Sequence, residues 1–131
     1  TGTGFLTACL AQLASSVVSI DIFEDFSRDA KAVCGELSIG NVEFRTADAL
    51  EMGRQEEFDA IAVTGSVPEL DDHFIRMLRP GGRLFIIVGR VPVMEARVVT
   101  MHEHGEYTQE SLFESVITPL VNAERPEHFV L

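Results

Sequence analysis

Two apolar periods alternate along this chain, and that alternation limits its folds more than any other feature. Residues 5–14 (FLTACLAQLA) place Leu6, Cys9, Leu10 and Leu13 at i, i+3, i+4 and i+7, the stripe of an amphipathic helix. Val17-Val18-Ser19-Ile20 is a short β-branched run ending at Asp21, which predicts a buried strand with a carboxylate at its carboxyl end. Helical spacing returns with Phe26, Ala30, Val33, Cys34 and Leu37 and stops at the Gly40-Asn41 turn. A second strand over 42–46 then ends at Ala47-Asp48.

The second half repeats the pattern and then changes it. The polar stretch 51–57 leads into a strand over 58–64, broken by Gly65-Ser66. Leu70, Phe74, Met77 and Leu78 predict a third helix, stopped by Pro80-Gly81-Gly82. The run 84–88 is the most apolar strand, buried on both faces by its pattern. Segments 95–102 and 107–117 flank His104-Gly105-Glu106 and predict a hairpin. Strands alternating with helices imply right-handed crossovers and a mostly parallel, doubly wound α/β sheet of Rossmann-like type. The hairpin adds a C-terminal antiparallel edge. Repeats, low-complexity stretches and linkers are not seen, so residues 1–131 are expected to form a single domain.

Composition narrows the partners. The 46% apolar and 24% charged residues suit a globular core, and no apolar run is long enough to span a bilayer. Ten Lys and Arg against 21 Asp and Glu give a net charge of −11, which repels polyanions and anionic membranes. Neither nucleic acid nor membrane is expected as a partner. Cys9 and Cys34 lie in apolar-periodic segments without metal-type spacing, so buried free thiols in a reducing, cytoplasmic setting are expected rather than a disulfide. The chain opens on Thr1-Gly2-Thr3-Gly4 with neither an initiator Met nor a basic leader, which reads as a domain lacking its N-terminal part, first strand included. Such a gap would leave unpaired backbone and apolar surface in mid-sheet, a route to oligomers.

Ligands of open α/β sheets sit where strands end. Gly2-Thr3-Gly4 precedes the first helix, where backbone can approach a ligand and the helix N-terminus offers N–H donors, although such a turn is also a common local device. Asp21 lies 17 positions after Gly4, about where nucleotide folds place an acid that accepts from a ribose diol; capping of the helix near Glu24 is the alternative. Ile22 could pack on an adenine face. Asp48 suits an exocyclic amine or, equally, an N-cap for 49–53. A dinucleotide fingerprint needs a glycine at position 7, where Thr7 stands, which disfavours a dehydrogenase. His73, His102, His104 and His128 show no convincing metal spacing, and Glu69, Asp71 and Asp72 read as a helix N-terminus. The tail 122–131 is polar until Phe129-Val130-Leu131, which could dock on the body.

The segments GTGFLTACLAQLASSVVSID, NVEFRTADAL, FDAIAVTGSVPEL, LRPGGRLFIIVG and SLFESVITPLV, in that order, resemble protein-L-isoaspartate O-methyltransferases from Gly2 to Val121. The resemblance implies S-adenosyl-L-methionine as cofactor and methylation of the α-carboxyl of isoaspartyl residues in damaged proteins, a repair reaction. It matches Gly2 and Gly4, either side of Thr3, to the glycine turn, Asp21 to the acid that holds the ribose, Ala47 and Asp48 to the adenine site and Thr64 to the methionine portion. Gly65, Ser66, Thr118 and Pro119 match the peptide-binding side. The chain departs from the family pattern at Leu6, where Gln is common, and at Gly65-Ser66, where an Ala pair is usual. No residue is implied as a catalytic acid or base. A small-molecule methyltransferase of the same fold, and a partner-dependent inactive fragment, are the alternative readings.

Overall fold

The computed structural model describes residues 1–53 and 55–123. Two compact units divide the chain, Thr1–Met52 and Gly53–Leu131. Among the described residues no helix is long and apolar enough to cross a membrane.

The first unit runs α1 (Phe5–Leu13), β1 (Val17–Asp21), α2 (Glu24–Glu36) and β2 (Val42–Thr46), then a 3-10 turn over Ala49–Glu51. β1 and β2 pair in parallel, from Val17 opposite Val42 to Asp21 opposite Thr46. These bounds follow the sequence periods closely. The buried helix faces follow them only in part, at Ala30 and Cys34 of α2. On α1 Thr7 and Ala11 are buried, whereas Phe5, Leu6 and Leu13 are exposed and Cys9 is an exposed thiol. On α2 the buried residues are Ser27, Ala30 and Cys34, with Phe26, Val33 and Leu37 exposed. The inward face is thus rotated by roughly 100°, one residue, from the bulky stripe. A Cβ added at Gly4, just before α1, would lie 2.8 Å from the Ala30 Cβ, so the turn and α2 meet through small residues. The expectation of two buried thiols holds for Cys34 and fails for Cys9.

The second unit holds one four-stranded sheet in the order β3 (Phe58–Val67), β4 (Leu78–Arg90), β5 (Val93–Met101) and β6 (Tyr107–Glu114). β3 and β4 are parallel, and the remaining pairs are antiparallel. The 102–106 connection forms the expected hairpin, with His104 and Gly105 both at positive φ. The core lies along β4 and β5, where Leu84, Ile86, Met94, Ala96 and Val99 are almost fully buried.

The third helix does not form. Only a 3-10 turn, Ile75–Met77, appears between β3 and β4. The Asp71 carboxylate accepts from the His73 N–H at 2.9 Å, and Pro68 and Pro80 bound the length of chain that a helix here could use. Phe74, Ile75, Met77 and Leu78 are all buried by this tuck. Pro80-Gly81-Gly82 is therefore no helix stop. It is absorbed into β4 as an irregularity between the pairs Phe58–Leu78 and Ala60–Arg83. A Cβ on Gly82 would meet the Arg79 carbonyl oxygen at 2.8 Å and that of Phe58 at 3.1 Å. Gly65-Ser66 likewise marks a register shift inside β3 rather than its end. The C-terminal tail expected to dock, from Arg125 through His128 to Leu131, lies outside the described residues.

Candidate functional site

The first unit brings the glycine turn onto the end of β1. Gly2 at φ +52° and Gly4 at φ +87° adopt the left-handed region, and Gly4 caps α1 with its N–H bonded to the Thr1 carbonyl at 3.0 Å. The Gly2 N–H donates to Asp21 Oδ2 at 3.0 Å. Asp21 Oδ1 accepts from the Phe23 N–H, also at 3.0 Å. Asp21 thus makes an Asx-type turn ahead of α2, whose N-cap is Phe23 without a side-chain cap bond. The helix-capping alternative is not what the carboxylate does. A carboxylate offers about four acceptor directions, and backbone amides take two of these here. Its side chain keeps 14% of its surface exposed, with the Thr1 ammonium 3.7 Å from Oδ2.

A buried hydroxyl relay supports the turn from below. Ser19 Oγ lies 2.8 Å from both Thr1 Oγ1 and Thr7 Oγ1. Thr7 therefore ties α1 to β1 at the position where a dinucleotide fold would need glycine. The Asn41 side-chain amide donates to the Ala11 and Ala14 carbonyls at 2.9 and 3.0 Å and closes the C-terminal end of α1. Sequence reasoning missed both devices. Ser19 interrupting a β-branched run was the only available signal for the first, and Asn41 read merely as a turn residue.

At the end of β2, the Ala47 N–H donates to the Asp21 carbonyl at 3.0 Å, which brings Ala47 beside the turn. Asp48 Oδ1 accepts from the Leu50 N–H at 2.9 Å, so it caps the 3-10 turn, the alternative left open by its sequence. Ile22 is half-buried just past Asp21, and Thr3 is exposed on the turn.

The second unit gathers Gly65, Ser66, Thr118 and Pro119 in one place. Ser66 is buried and pairs as an isolated parallel bridge with Pro119. Its N–H donates to the Thr118 carbonyl at 3.1 Å, and its carbonyl accepts from the Leu120 N–H at 2.9 Å. Gly65 is required by contact, since an added Cβ would lie 2.6 Å from Leu120 Cδ2 and 3.0 Å from its amide nitrogen. Thr64, Thr118 and Pro119 are exposed beside this junction.

Two clefts open elsewhere on the same unit, of about 450 and 500 Å³, and neither is lined by the junction residues. The first contains Glu95, whose carboxyl is held below the usual glutamate range by the Ser111 hydroxyl and then by the Arg97 guanidinium. Arg97 Nε donates to Glu95 Oε1 at 2.8 Å. Among the described residues no group of three or more His, Cys, Asp or Glu could hold a metal ion.

Residues 1–125 match the family model for protein-L-isoaspartate(D-aspartate) O-methyltransferase. A protein-L-isoaspartate O-methyltransferase of Ectopseudomonas mendocina is 34% identical over 123 residues, covering 93% of this chain and 58% of that protein. One from Anaeromyxobacter is 35% identical over 126 residues, covering 94% and 59%. The chain thus spans about three fifths of the length of these relatives. A Plasmodium falciparum protein described as a protein-L-isoaspartate O-methyltransferase, solved with S-adenosyl-L-homocysteine, superposes with a TM-score of 0.78 at 20% identity, covering 91% of this chain and 62% of that one. A second structure named protein-L-isoaspartate O-methyltransferase gives 0.78 at 22% identity, covering 90% and 39%. These superpositions bear out the Rossmann-like α/β class. By its sequence, the chain belongs to the protein-L-isoaspartate(D-aspartate) O-methyltransferase family.

Proposed function

We propose that this chain carries the cofactor and acceptor elements of an S-adenosyl-L-methionine-dependent O-methyltransferase acting on the α-carboxyl of isoaspartyl residues in damaged proteins. The observation that carries the reading is the bond from the Gly2 N–H to Asp21 Oδ2, which joins the glycine turn and the acid into one device at a strand end. That device fits the cofactor. The remaining acceptor directions of Asp21 suit the ribose hydroxyls, and the left-handed turn keeps side chains away from the nucleoside. Ala47 and Ile22 supply apolar surface beside the turn, with Asp48 next along for the adenine amine. Thr64 belongs to the methionine side, and the junction of Gly65 and Ser66 with Thr118 and Pro119 to the peptide.

When bound, the cofactor supplies a methyl group activated by its sulfonium. A carboxylate with an ordinary pKa near 4 is already ionised at neutral pH, so the acceptor oxygen attacks without a general base. The protein's part is alignment and exclusion of water, worth up to roughly 7–11 kcal/mol in favourable cases. That division of labour agrees with a site built from glycines, hydroxyls and acceptors. The excess of 11 negative charges favours a polypeptide acceptor over nucleic acid, and the expected setting is the cytoplasm.

Titration calorimetry with S-adenosyl-L-homocysteine, followed by an isoaspartyl peptide and its aspartyl isomer, tests the proposal. Saturable binding of the nucleoside and preference for the isoaspartyl peptide are expected. Absence of nucleoside binding refutes the reading. Nucleoside binding with no preference between the peptides transfers it to a small-molecule methyltransferase.

A further inference from the structure

The segment after β6 carries Thr118 and Pro119 past Ser66 without joining a regular strand, so something other than a ladder must set its height. Hydrogen bonds do so, that from the Ser66 N–H to the Thr118 carbonyl at 3.1 Å among them. The Ser115 N–H donates to the Met94 carbonyl at 3.0 Å, and the Leu120 N–H donates to the Ser66 carbonyl at 2.9 Å. Between them, the Ile117 N–H points at the Met94 thioether, 3.5 Å from Sδ. A thioether is a weak acceptor, usually passed over when a carbonyl is within reach. Here it receives a backbone donor of the segment that bridges to Ser66 at Pro119.

Met94 is well placed for this task. It is 2% exposed on β5 and packs with Ile87 and Ala96, against which Ile117 and Phe85 also rest. Its backbone is fixed by pairing opposite Gly89, where a Cβ would come within 2.4 Å of the Val93 carbonyl oxygen. The carbonyl of Ile117 in turn accepts from the Ser66 hydroxyl at 3.5 Å. The Met94 sulfur and the Ser66 hydroxyl therefore grip the two sides of one residue, immediately before Thr118.

We infer that Met94 is a positioning residue: its thioether sets the placement of the 117–120 segment, and through it the acceptor-peptide side of the site. The second half of this inference rests on the methyltransferase reading; the first does not. Leucine fills nearly the same volume without an acceptor, and Ile87→Val trims the same core while leaving the sulfur in place.

Amide hydrogen exchange and proton chemical shifts of the full chain, read by NMR, decide the structural half. Met94→Leu should speed exchange at Ile117 and Leu120 by roughly fivefold, the worth of a modest hydrogen bond, and move the Ile117 amide proton shift. Ile87→Val should change neither relative to the rest of the sheet. Exchange at Ile117 within twofold of the parent, or equal loosening in both variants, overturns the inference. Calorimetry on the same variants decides the rest. Weaker isoaspartyl-peptide binding in Met94→Leu, with S-adenosyl-L-homocysteine binding unchanged, supports the positioning role. Altered exchange with unaltered peptide affinity overturns that role. A parent chain that binds neither ligand counts against the methyltransferase reading and leaves the exchange result to stand by itself.

Discussion

Replacing Gly4 by alanine tests the reasoning about the glycine turn most directly, because Gly2 provides an internal comparison. Both glycines sit at positive φ, +52° and +87°, where an L-residue with a Cβ costs about 1–2 kcal/mol. At Gly2 an added Cβ meets nothing within 4 Å, so that backbone cost is the whole effect. At Gly4 the same Cβ lands 2.8 Å from the Ala30 Cβ and 3.2 Å from its Cα, and α1 must move away from α2. Overpacking of this kind adds about 1–3 kcal/mol, so Gly4→Ala is expected to cost about 2–5 kcal/mol in total. Denaturant-dependent amide exchange in α1, β1 and α2 reports the first unit separately from the second. A cycle with Ala30→Gly isolates the contact: the glycine costs about 1 kcal/mol in mid-helix, yet Gly4→Ala should be cheaper in its presence. If Gly2→Ala and Gly4→Ala cost the same within about 0.5 kcal/mol, or the cycle shows no coupling, close packing is not why position 4 is glycine.

Asp21→Asn should destroy nucleoside binding out of proportion to the small change in shape, because one carboxylate oxygen becomes an N–H group facing the Gly2 N–H. A charged acceptor bond is worth about 1.5–3 kcal/mol, so a loss of tenfold or more in S-adenosyl-L-homocysteine affinity is expected, and unchanged affinity by calorimetry removes Asp21 from the site. Gly65→Ala should push the 117–120 segment off Ser66 at a cost of about 1–3 kcal/mol, with partial relief from Leu120→Ala; thermal unfolding of the two variants and the double variant checks this, and an additive result contradicts it. The Glu95 carboxyl is depressed in the folded state, so its stabilisation is present above the ordinary value of 4.5 and is lost as pH falls through the folded value. Ser111→Ala removes the larger cause, so the Glu95 midpoint in an NMR titration should rise toward 4.5, and an unmoved midpoint refutes the assignment.

Much of the fold was legible because it is local. The 3.6 and 2 periods located α1, β1, α2, β2 and the final hairpin to within a few residues, and the spacing between Gly4 and Asp21 pointed to a turn and an acid that do meet. What periodicity could not supply was the identity of the inward face. Leu6, Leu10 and Leu13 form the better apolar stripe, yet Thr7 and Ala11 are buried, Thr7 with its hydroxyl 2.8 Å from Ser19 Oγ on β1. Apolarity reports what would gain from burial. It does not report how near the neighbour stands.

The same limit explains why one local cue carried two meanings. Gly40-Asn41 follows α2 as a break between elements, whereas Pro80-Gly81-Gly82 and Gly65-Ser66 are irregularities inside strands that continue beyond them. Within the sequence the three are alike. They differ in what lies across from them: the Phe58 carbonyl 3.1 Å from the Cβ position of Gly82, and Leu120 against Gly65. A glycine that ends an element needs only its own φ, and its replacement is judged by backbone strain alone. A glycine that lets another chain segment approach is fixed by a residue far away in sequence, so its replacement is rescued by trimming that residue. Gly65 with Leu120 and Gly4 with Ala30 fall in the second class, and Gly2 in the first. The contacts of Gly4 and Gly65 both lie beside residues proposed to hold ligand, one in each unit.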